Sequence, residues 1–400
     1  MIVLGAAAVP TALTYVFLAF QNLEPQMKVP NRLSGYMPTL DGWRAISIIL
    51  VLLRHSRVSA AIPVIGPFLW QVSEHGAIGV YVFFAISGVL ICGRMLQEEQ
   101  KHGRISLGNF YIRRAFRILP PALLYLLTLA VLSPIPGVTR LELVSALFFF
   151  RNYVLVALPP AYWFTGHFWS LAVEEHFYLL LPGILFFFPK RRAWVLGALT
   201  LAVFAWRSWL AHTTSLDLGS RTDTVLDALL IPALITIAAN NDRYAVHLRR
   251  FLKPSFSAVL LAIFLALLFI KVPFNLVLRA TILPLLLLGT SQHPENLVGR
   301  ILESAPLRWI GRLSYSLYLW QQLFFCDQFW SGALPLGMLQ QWPMKLVGLI
   351  GCASISYYVL ERPMVRLGHR LASSGVPGRN VDLAPTPVPL VSSKPQEAGQ

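Results

Sequence analysis

Apolar runs long enough to cross a lipid bilayer recur along almost the whole of this 400-residue chain. A helix of about 20 residues spans the roughly 30 Å hydrocarbon core of a membrane. The composition agrees, because 56% of the residues are hydrophobic and only 13% are charged, roughly half the charged fraction of an average soluble protein. A membrane β-barrel shows short alternating strands instead, so the pattern predicts an all-α polytopic membrane protein.

The apolar runs predict about ten core transmembrane helices, at about 41–58, 76–96, 117–136, 168–188, 193–211, 223–240, 254–271, 275–291, 309–331 and 343–362. Residues 1–20 are a possible eleventh span. They also resemble a signal sequence, although they lack a basic n-region and a clear small-x-small cleavage site. Residues 141–158 are apolar too, but Glu142 and Arg151 interrupt them.

The formal net charge of +15 comes from Lys and Arg in the loops between apolar runs. By the positive-inside rule, we place these loops in the cytoplasm. They are 97–117, 190–192, 241–253, 300–312 and the stretch after Arg362. The loops alternate correctly only if 141–158 does not cross, so we expect a re-entrant or interfacial segment there, on the outer side. Both termini of the core then lie in the cytoplasm. No compact basic domain is present, so we expect no nucleic-acid partner.

The chain divides into three predicted parts. Residues 1–35 are an N-terminal apolar segment with a connector, and 36–370 form the integral membrane domain. In residues 371–400 Pro, Ser and Gly become frequent and apolar periodicity ends, which predicts a disordered cytoplasmic tail. The three cysteines have no metal or disulfide spacing, and no nucleotide-loop or metal motif is found, so we expect no metal and no bound cofactor.

Arg44 and His55 are ionisable residues inside the first span. Such residues are costly in lipid and are candidates for function by default, the alternatives being a snorkelling side chain or a structural pair. Eleven helical residues place them within about 20° of one face and roughly 16 Å apart along the axis. A guanidinium suits phosphate or carboxylate, and an imidazole suits proton transfer near neutral pH. Arg44 and His55 therefore mark the two ends of one elongated site on a single face of the helix.

Three arginines, Arg113, Arg114 and Arg117, fall within about one turn at the start of the third span. Like charges at this spacing repel each other, so an anion should lie nearby. That anion is either a lipid headgroup or a phosphorylated ligand. A purely topological basic flank explains the spacing equally well.

The segment 167–182 is the densest in polar residues. Glu174 and Glu175 project about 100° apart, so at most one of them shares a given face with a partner. Glu174 lies four residues from both Ser170 and Tyr178 and is a candidate partner for His55. Such a pair suits general acid–base chemistry, and the alternative is an interhelical polar pair.

Three weaker features complete the set. Ser87 and Gly88 permit close helix approach or offer a hydroxyl at an unwound turn. The stretch SYSLYLW at 314–320 is rich in aromatic residues and is followed by two amides. Glu361 precedes Arg362 and Pro363, which predicts a helix end or kink.

Taken in order, these motifs resemble the bacterial membrane-bound acyltransferase family 3. The resemblance covers residues 36–370 and rests on Arg44 with His55, FFAISGVLI (83–91), FYIRRAFRILP (110–120), HFWSLAVEEHFY (167–178), SYSLYLW (314–320) and YVLERP (358–363). The family includes O-acetylases of lipopolysaccharide, exopolysaccharide and nodulation factors, and acylases of macrolide antibiotics. The resemblance implies an acyl-CoA donor, acetyl-CoA by default, reached from the cytoplasm of a bacterial inner membrane, and transfer to a hydroxyl.

The resemblance also implies roles for individual residues. The expected catalytic residues are His55, Glu174 and Arg44, with His55 as general base or proton relay and Glu174 orienting it. Arg114, Arg117, Arg113 and Ser87 are expected to bind the donor. Trp169, Tyr178 and Glu361 are expected to bind substrate. The expected acceptor is a glycan, a lipid-linked glycan or a glycosylated small molecule.

The chain departs from the family pattern at three places. Gln321 stands where the family usually has His, and His176 where it usually has Gln. Asp227 is kept, but the Arg usually two residues before it is Val225, and Arg221 is a candidate substitute. Two alternatives from other classes are a proton-coupled transporter or flippase of a glycan or lipid intermediate, and a non-catalytic membrane scaffold.

Overall fold

The computed structural model describes residues 36–56, 66–132, 139–154, 162–214, 218–270, 275–326 and 336–373. The possible span at 1–20 and the tail from residue 374 onward lie outside these ranges. Residues 371–373, predicted as the start of the tail, still belong to the last helix.

Regular structure in the described ranges is helical. The helices are α1 Pro38–Ser56, α2 Gly66–Glu74, α3 Ile78–His102, α4 Leu107–Val131, α5 Arg140–Leu147, α6 Tyr162–Gly166, α7 Phe168–Phe187, α8 Arg192–Thr213, α9 Thr222–Val225, α10 Asp227–Ala239, α11 Asp242–Phe251, α12 Pro254–Phe269, α13 Asn275–Gln292, α14 Leu297–Leu302, α15 Ala305–Phe324, α16 Met344–Ile355 and α17 Arg362–Ser373. Short 3-10 turns lie at Arg151–Tyr153 and Gly337–Gln340, and Ser356–Glu361 is a π-helical turn.

A helix occupies each of the ten ranges predicted to span the membrane, but the number of crossings stays a prediction. Within the described chain five helices are long and apolar enough to cross: Ile78–His102, Leu107–Val131, Trp163–Phe187, Arg192–Thr213 and Met344–Ser373. A sixth is added if α11 and α12, which are bent by 69°, form one span. The chain is thus an all-α, multi-pass membrane protein. Helix α1 also has 19 residues, but it carries Asp41, Arg44 and Arg54.

The apolar segment at 141–158 forms only a short helix where it is described. Helix α5 has eight residues and is therefore about 12 Å long, too short to cross a bilayer. The charges that interrupt this segment form a buried pair, with Arg151 Nη2 3.0 Å from Glu142 Oε1. Arg151 Nε also donates to Thr165 Oγ1 at 2.9 Å, so the segment is tied to the start of α6–α7.

Helix α1 lies in the middle of the bundle, packed against α15 on one side and α3 on another. Glycines allow these close approaches. A Cβ on Gly311 of α15 would collide with the backbone carbonyl of Asp41, and one on Gly42 would collide with the backbone of Leu302. Gly88 of α3 similarly admits the backbone of α10 at Leu229. Arg44, two residues from Gly42, is therefore held beside α15.

Of the two outcomes predicted at Glu361–Pro363, a helix end or a kink, the helix end is wrong. The helix passes through the π-helical turn Ser356–Glu361 and continues to Ser373. Since proline lacks an N–H and clashes with the preceding turn, a locally widened turn accommodates it without ending the helix. Glu361 is thereby kept inside the bundle, where it is 3% exposed.

Candidate active site

A cavity of about 100 Å³ lies where α1, α3, α4, α7 and α15 meet. Five of the residues predicted for the site line it: Arg44, Ser87, Arg114, Arg117 and Glu174. The rest of the lining is largely aliphatic and aromatic, with Ser170, Ser314, Tyr315 and Tyr318 supplying further hydroxyls. The structure thus gathers residues that are up to 274 positions apart in the sequence, from Arg44 to Tyr318.

Glu174 lies at the centre of a hydrogen-bonded group at this cavity. Ser87 Oγ donates to its Oε1 at 3.1 Å, and the Tyr178 hydroxyl lies 3.0 Å from its Oε2. Arg114 Nη2 is 3.9 Å from the same carboxylate, and its guanidinium carbon lies 3.6 Å from the centre of the Tyr178 ring. These contacts fix the plane of the Arg114 guanidinium group. A fixed plane lets the group present a defined edge to an anion.

Arg44 lines the end of the cavity nearest the basic loops, and Glu361 lies close to it outside the lining. Arg44 Nη1 pairs with Asp41 Oδ1 at 2.9 Å, and Tyr36 donates to the other oxygen of Asp41. Burial and the Asp41 carboxylate raise the pKa of Tyr36, so the hydroxyl keeps its proton and remains a donor. Glu361 Oε2 accepts from Ser316 Oγ at 2.8 Å and lies within electrostatic reach of Arg117 and Arg44.

Positive charge exceeds negative charge around the cavity. Its lining holds three guanidinium groups, of Arg44, Arg114 and Arg117, and one carboxylate, of Glu174. Arg94 of α3, which was not among the predicted residues, lies within electrostatic reach of the same arginines. A partly enclosed site with this excess of fixed cations suits an anionic ligand.

His55 lies outside this lining, and its predicted pairing with Glu174 is wrong. Its Nδ1 is 3.1 Å from Oε1 of Gln321, and its ring meets the Trp163 ring edge-on with centroids 5.5 Å apart. The reason is the length of α1: His55 lies near its end, whereas Glu174 is engaged by α3 and α4 deeper in the bundle.

A second imidazole, His167, was missed as a site residue. It is 2% exposed, and its Nδ1 and backbone N–H both approach Oε1 of Gln322, at 2.5 and 3.2 Å. The Tyr318 hydroxyl donates to the His167 carbonyl at 3.0 Å and lies 2.6 Å from Ser170 Oγ. Because Ser170 and Tyr318 line the cavity, a polar chain leads from the cavity towards His167. Only the two amides after SYSLYLW hinted at it in the sequence.

Four predicted binding residues are not in the lining of the cavity in the described chain: Arg113, Trp169, Tyr178 and Glu361. Arg113 Nη2 instead pairs with Glu98 Oε2 at 3.7 Å. The Trp169 ring packs edge-on against Phe84, with centroids 6.0 Å apart. Tyr178 contacts the cavity residues Ser87, Glu174 and Arg114 through its hydroxyl and its ring.

The residues at the three places where the chain departs from the family pattern also have hydrogen-bond or ion-pair partners in the structure. Asp227 pairs with Arg207 of α8 at 2.8 Å, so Arg221, which pairs with Asp223, is not the substitute that the sequence suggested. His176 Nδ1 lies 2.7 Å from Thr222 Oγ1. Gln321, the third departure, is the partner of His55.

Comparison with known proteins identifies the family of the chain. A family model described as an acyltransferase domain matches residues 37–361. The peptidoglycan O-acetyltransferase OatA of Listeria monocytogenes is 28% identical over 74% of this chain and 50% of its own length. Bacillus subtilis YrhL, provisionally named a peptidoglycan O-acetyltransferase, is 26% identical over 85% of this chain and 57% of its own length.

A provisionally named O-acetyltransferase of Staphylococcus aureus strain MSSA476 is 27% identical over 83% of this chain and 58% of its own length. The chain therefore spans about half the length of the curated relatives it matches. No solved structure matches it. Because the family model covers most of the chain, residues 37–361, the chain belongs to acyltransferase family 3.

Proposed function

We propose that the chain transfers an acyl group, acetyl by default, from acyl-CoA on the cytoplasmic side of a bacterial inner membrane to a hydroxyl of a glycan. Two relatives carry peptidoglycan in their names, so peptidoglycan is the first acceptor to test. Lipopolysaccharide, exopolysaccharide and glycosylated small molecules are the next candidates.

The observation that carries this proposal is the cluster of Arg44, Arg114 and Arg117 around one cavity with a single lining carboxylate. Coenzyme A carries several phosphates, and guanidinium groups bind phosphate oxygens through paired charge-assisted hydrogen bonds. The cavity lies beside the cytoplasmic starts of α1 and α4 in the orientation that the basic loops predict. A donor that approaches from the cytoplasm meets the arginines first.

The proposed reaction gives each group a task. His55 takes the proton of the acceptor hydroxyl, and the oxygen attacks the thioester carbonyl. An arginine of the cavity stabilises the negative charge on that carbonyl oxygen. The carbon–sulfur bond then breaks, the ester remains on the acceptor, and the thiolate of coenzyme A takes up a proton. Glu174 holds Arg114 in position, and Ser87 and Tyr178 hold Glu174.

The path between donor and acceptor follows the polar chain from the cavity. Ser170 and Tyr318 lead from the arginines towards His167, which faces the amide of Gln322. His55 faces the amide of the neighbouring residue, Gln321. In this proposal the acceptor hydroxyl approaches from the end of α1 that carries His55. The donor and the acceptor therefore meet inside the bundle, away from bulk water.

The test follows label from radioactive acetyl-CoA into the peptidoglycan, glycan and lipid fractions of membranes that contain the chain. We expect wild type to transfer label and His55→Ala and Arg44→Ala to lose transfer by about 100-fold or more, the size of a general-base contribution. Arg114→Ala should lose a comparable amount. Arg113→Ala is the matched control and should retain most of the activity, because Arg113 pairs with Glu98 outside the cavity.

Equal abundance of each variant in the membrane is verified first, by immunoblot. Unchanged transfer in His55→Ala and Arg44→Ala would contradict the site assignment. Wild-type membranes that transfer label from no acyl-CoA would contradict acyl-CoA as the donor.

A further inference from the structure

We propose that Gln321 is the positioning residue of the general base: its side-chain oxygen accepts the Nδ1 proton of His55, so that Nε2 carries the lone pair that removes the acceptor's proton. This inference rests on the proposed function, since it assigns an atom and a tautomer to the base named there.

The geometry at His55 carries the first step. The Nδ1 atom of His55 lies 3.1 Å from Oε1 of Gln321. The amide is placed with its oxygen towards the ring, and because an amide oxygen has no proton to give, this placement makes the facing ring nitrogen the protonated one. The other nitrogen, Nε2, is then a hydrogen-bond acceptor and a base. The edge-on Trp163 ring, with its centroid 5.5 Å away, limits rotation of the imidazole.

Gln321 is held firmly enough to act in this way. Its side chain is fully buried at 0% exposure on α15, the helix that packs most extensively against α1. Its Nε2 atom has no hydrogen-bond partner among the described residues, so the bond to His55 is the one that the side chain makes there. Burying an amide is costly unless it gains such a bond.

The next residue repeats the arrangement. Oε1 of Gln322 accepts the backbone N–H of His167 at 3.2 Å and faces Nδ1 of the same residue. Because a backbone N–H always donates, the atom it meets is the amide oxygen, and Nδ1 of His167 is protonated as well. Two adjacent amides on α15 therefore present their oxygens to two imidazoles.

A glutamine at position 321 limits the proton chemistry of the site. A neutral amide can fix an imidazole but cannot take a proton from it, whereas the histidine that the family pattern favours here can do both. The acceptor's proton therefore stays on His55 until it passes to the leaving thiolate or to water. The other ionisable groups facing this end of α1 are Arg54 and Glu74, which pair with each other, His167, and Lys345, which donates to the Ser56 carbonyl.

The experiment compares Gln321→Leu and Gln321→Glu with wild type in the acetyl-CoA assay, measuring kcat, KM for acetyl-CoA and the pH profile of kcat. Gln340→Leu is the matched control, because Gln340 is also buried and binds the Leu323 carbonyl of α15 but is not bonded to either imidazole. Gln321→Leu should lower kcat about 10- to 100-fold, part of the contribution of a general base, and leave KM unchanged.

Gln321→Glu should keep activity but move the acidic limb of the pH profile to higher pH by about one unit or more. It still accepts the Nδ1 proton, but its negative charge stabilises the imidazolium, so the neutral base appears only at higher pH. Gln340→Leu should leave the profile where it is in wild type, whatever it does to the amount of folded protein.

Wild-type kcat and pH profile in Gln321→Leu would overturn the inference while leaving the proposed function intact. Equal loss in Gln321→Leu and Gln321→Glu at every pH would also overturn it, because an acceptor oxygen would then not be what His55 needs. A readout without turnover separates the two proposals: the ¹⁵N spectrum of histidine-labelled protein, with the His55 signals assigned from their loss in His55→Ala. Protonated Nδ1 and unprotonated Nε2 support the inference, and the opposite tautomer overturns it.

Discussion

Glu174 and Glu175 are adjacent carboxylates on one helix with different surroundings. Glu174 receives hydrogen bonds from Ser87 and Tyr178 and pairs with Arg114. Glu175 lines no part of the cavity in the described chain. Their positions agree with the expectation that only one of two neighbours about 100° apart shares a face with a partner.

We therefore predict different effects on acyl transfer when the same substitution is made at each of the two positions. Glu174→Gln keeps the shape of the side chain but removes the charge that holds Arg114, and should lower acyl transfer by about 100-fold. Glu175→Gln should change transfer by less than about threefold. Both are measured as label transferred from acetyl-CoA per folded protein. Equal losses in the two variants would show that Glu174 has no special position at the cavity.

At the residue scale the sequence predicted five polar members of the cavity but not the long-range partners of the two histidines. Arg44, Ser87, Arg114, Arg117 and Glu174 stand out because charged and hydroxyl groups are rare inside apolar helices. The pairing of His55 with Gln321 depends on how far α1 and α15 slide along each other, which no spacing within one helix determines. His167 was missed for the same reason, since its partner amide lies 155 residues away.

At the element scale, the crossing of α1 and α15 places Arg44 beside the cavity. Apolar length was enough to predict both helices, but the glycine contact that joins them depends on the backbone of the partner helix. Gly311 has no room for a Cβ because the Asp41 carbonyl lies against it. The π-helical turn before Arg362 was also beyond the sequence rules, which state that proline disfavours helix without saying how a buried helix adapts.

This crossing yields a prediction for stability and activity together. Gly311→Ala forces the backbones of α1 and α15 apart and should lower the free energy of unfolding by about 1–3 kcal/mol, as overpacking does. Transfer should fall as well, because Arg44 moves with α1. Gly351→Ala is the matched control: a Cβ there meets no atom within 4 Å, so its stability should equal or exceed that of wild type.

Thermal unfolding of the purified protein in detergent measures both variants. A Gly311→Ala protein as stable and as active as Gly351→Ala would contradict the close contact between α1 and α15.

At the scale of the whole molecule, one ion pair lies within each of the two groups of segments that the charge pattern had assigned to opposite sides of the membrane. Arg192 at the start of α8 pairs with Glu99 near the end of α3 at 2.6 Å, which joins two of the basic loops. The buried pair of Arg151 and Glu142 holds the segment predicted to lie on the outer side. Helix α4 runs from the basic loop before it to the segment predicted on the outer side, and its 25 residues are sufficient to cross a membrane.

The orientation itself is a prediction that single cysteines can test. After Cys92, Cys326 and Cys352 are replaced by serine, one cysteine is introduced at Arg104, in the basic loop before α4, or at Tyr153, which is 43% exposed beyond α5. Excess Lys and Arg favours the cytoplasmic side, so a membrane-impermeant maleimide should label Tyr153→Cys in intact cells and Arg104→Cys only after permeabilisation.

Retained acyl transfer by the cysteine-free parent serves as the control for its fold. Labelling of Arg104→Cys in intact cells, with Tyr153→Cys protected, would show the opposite orientation. The arginine cavity would then lie on the side that lacks acyl-CoA. Labelling of both from one side would mean that α4 does not cross. The expected pattern instead places Arg44, Arg114 and Arg117 next to the cytoplasmic donor and His55 nearer the glycan, which is the arrangement that transfer across the bundle requires.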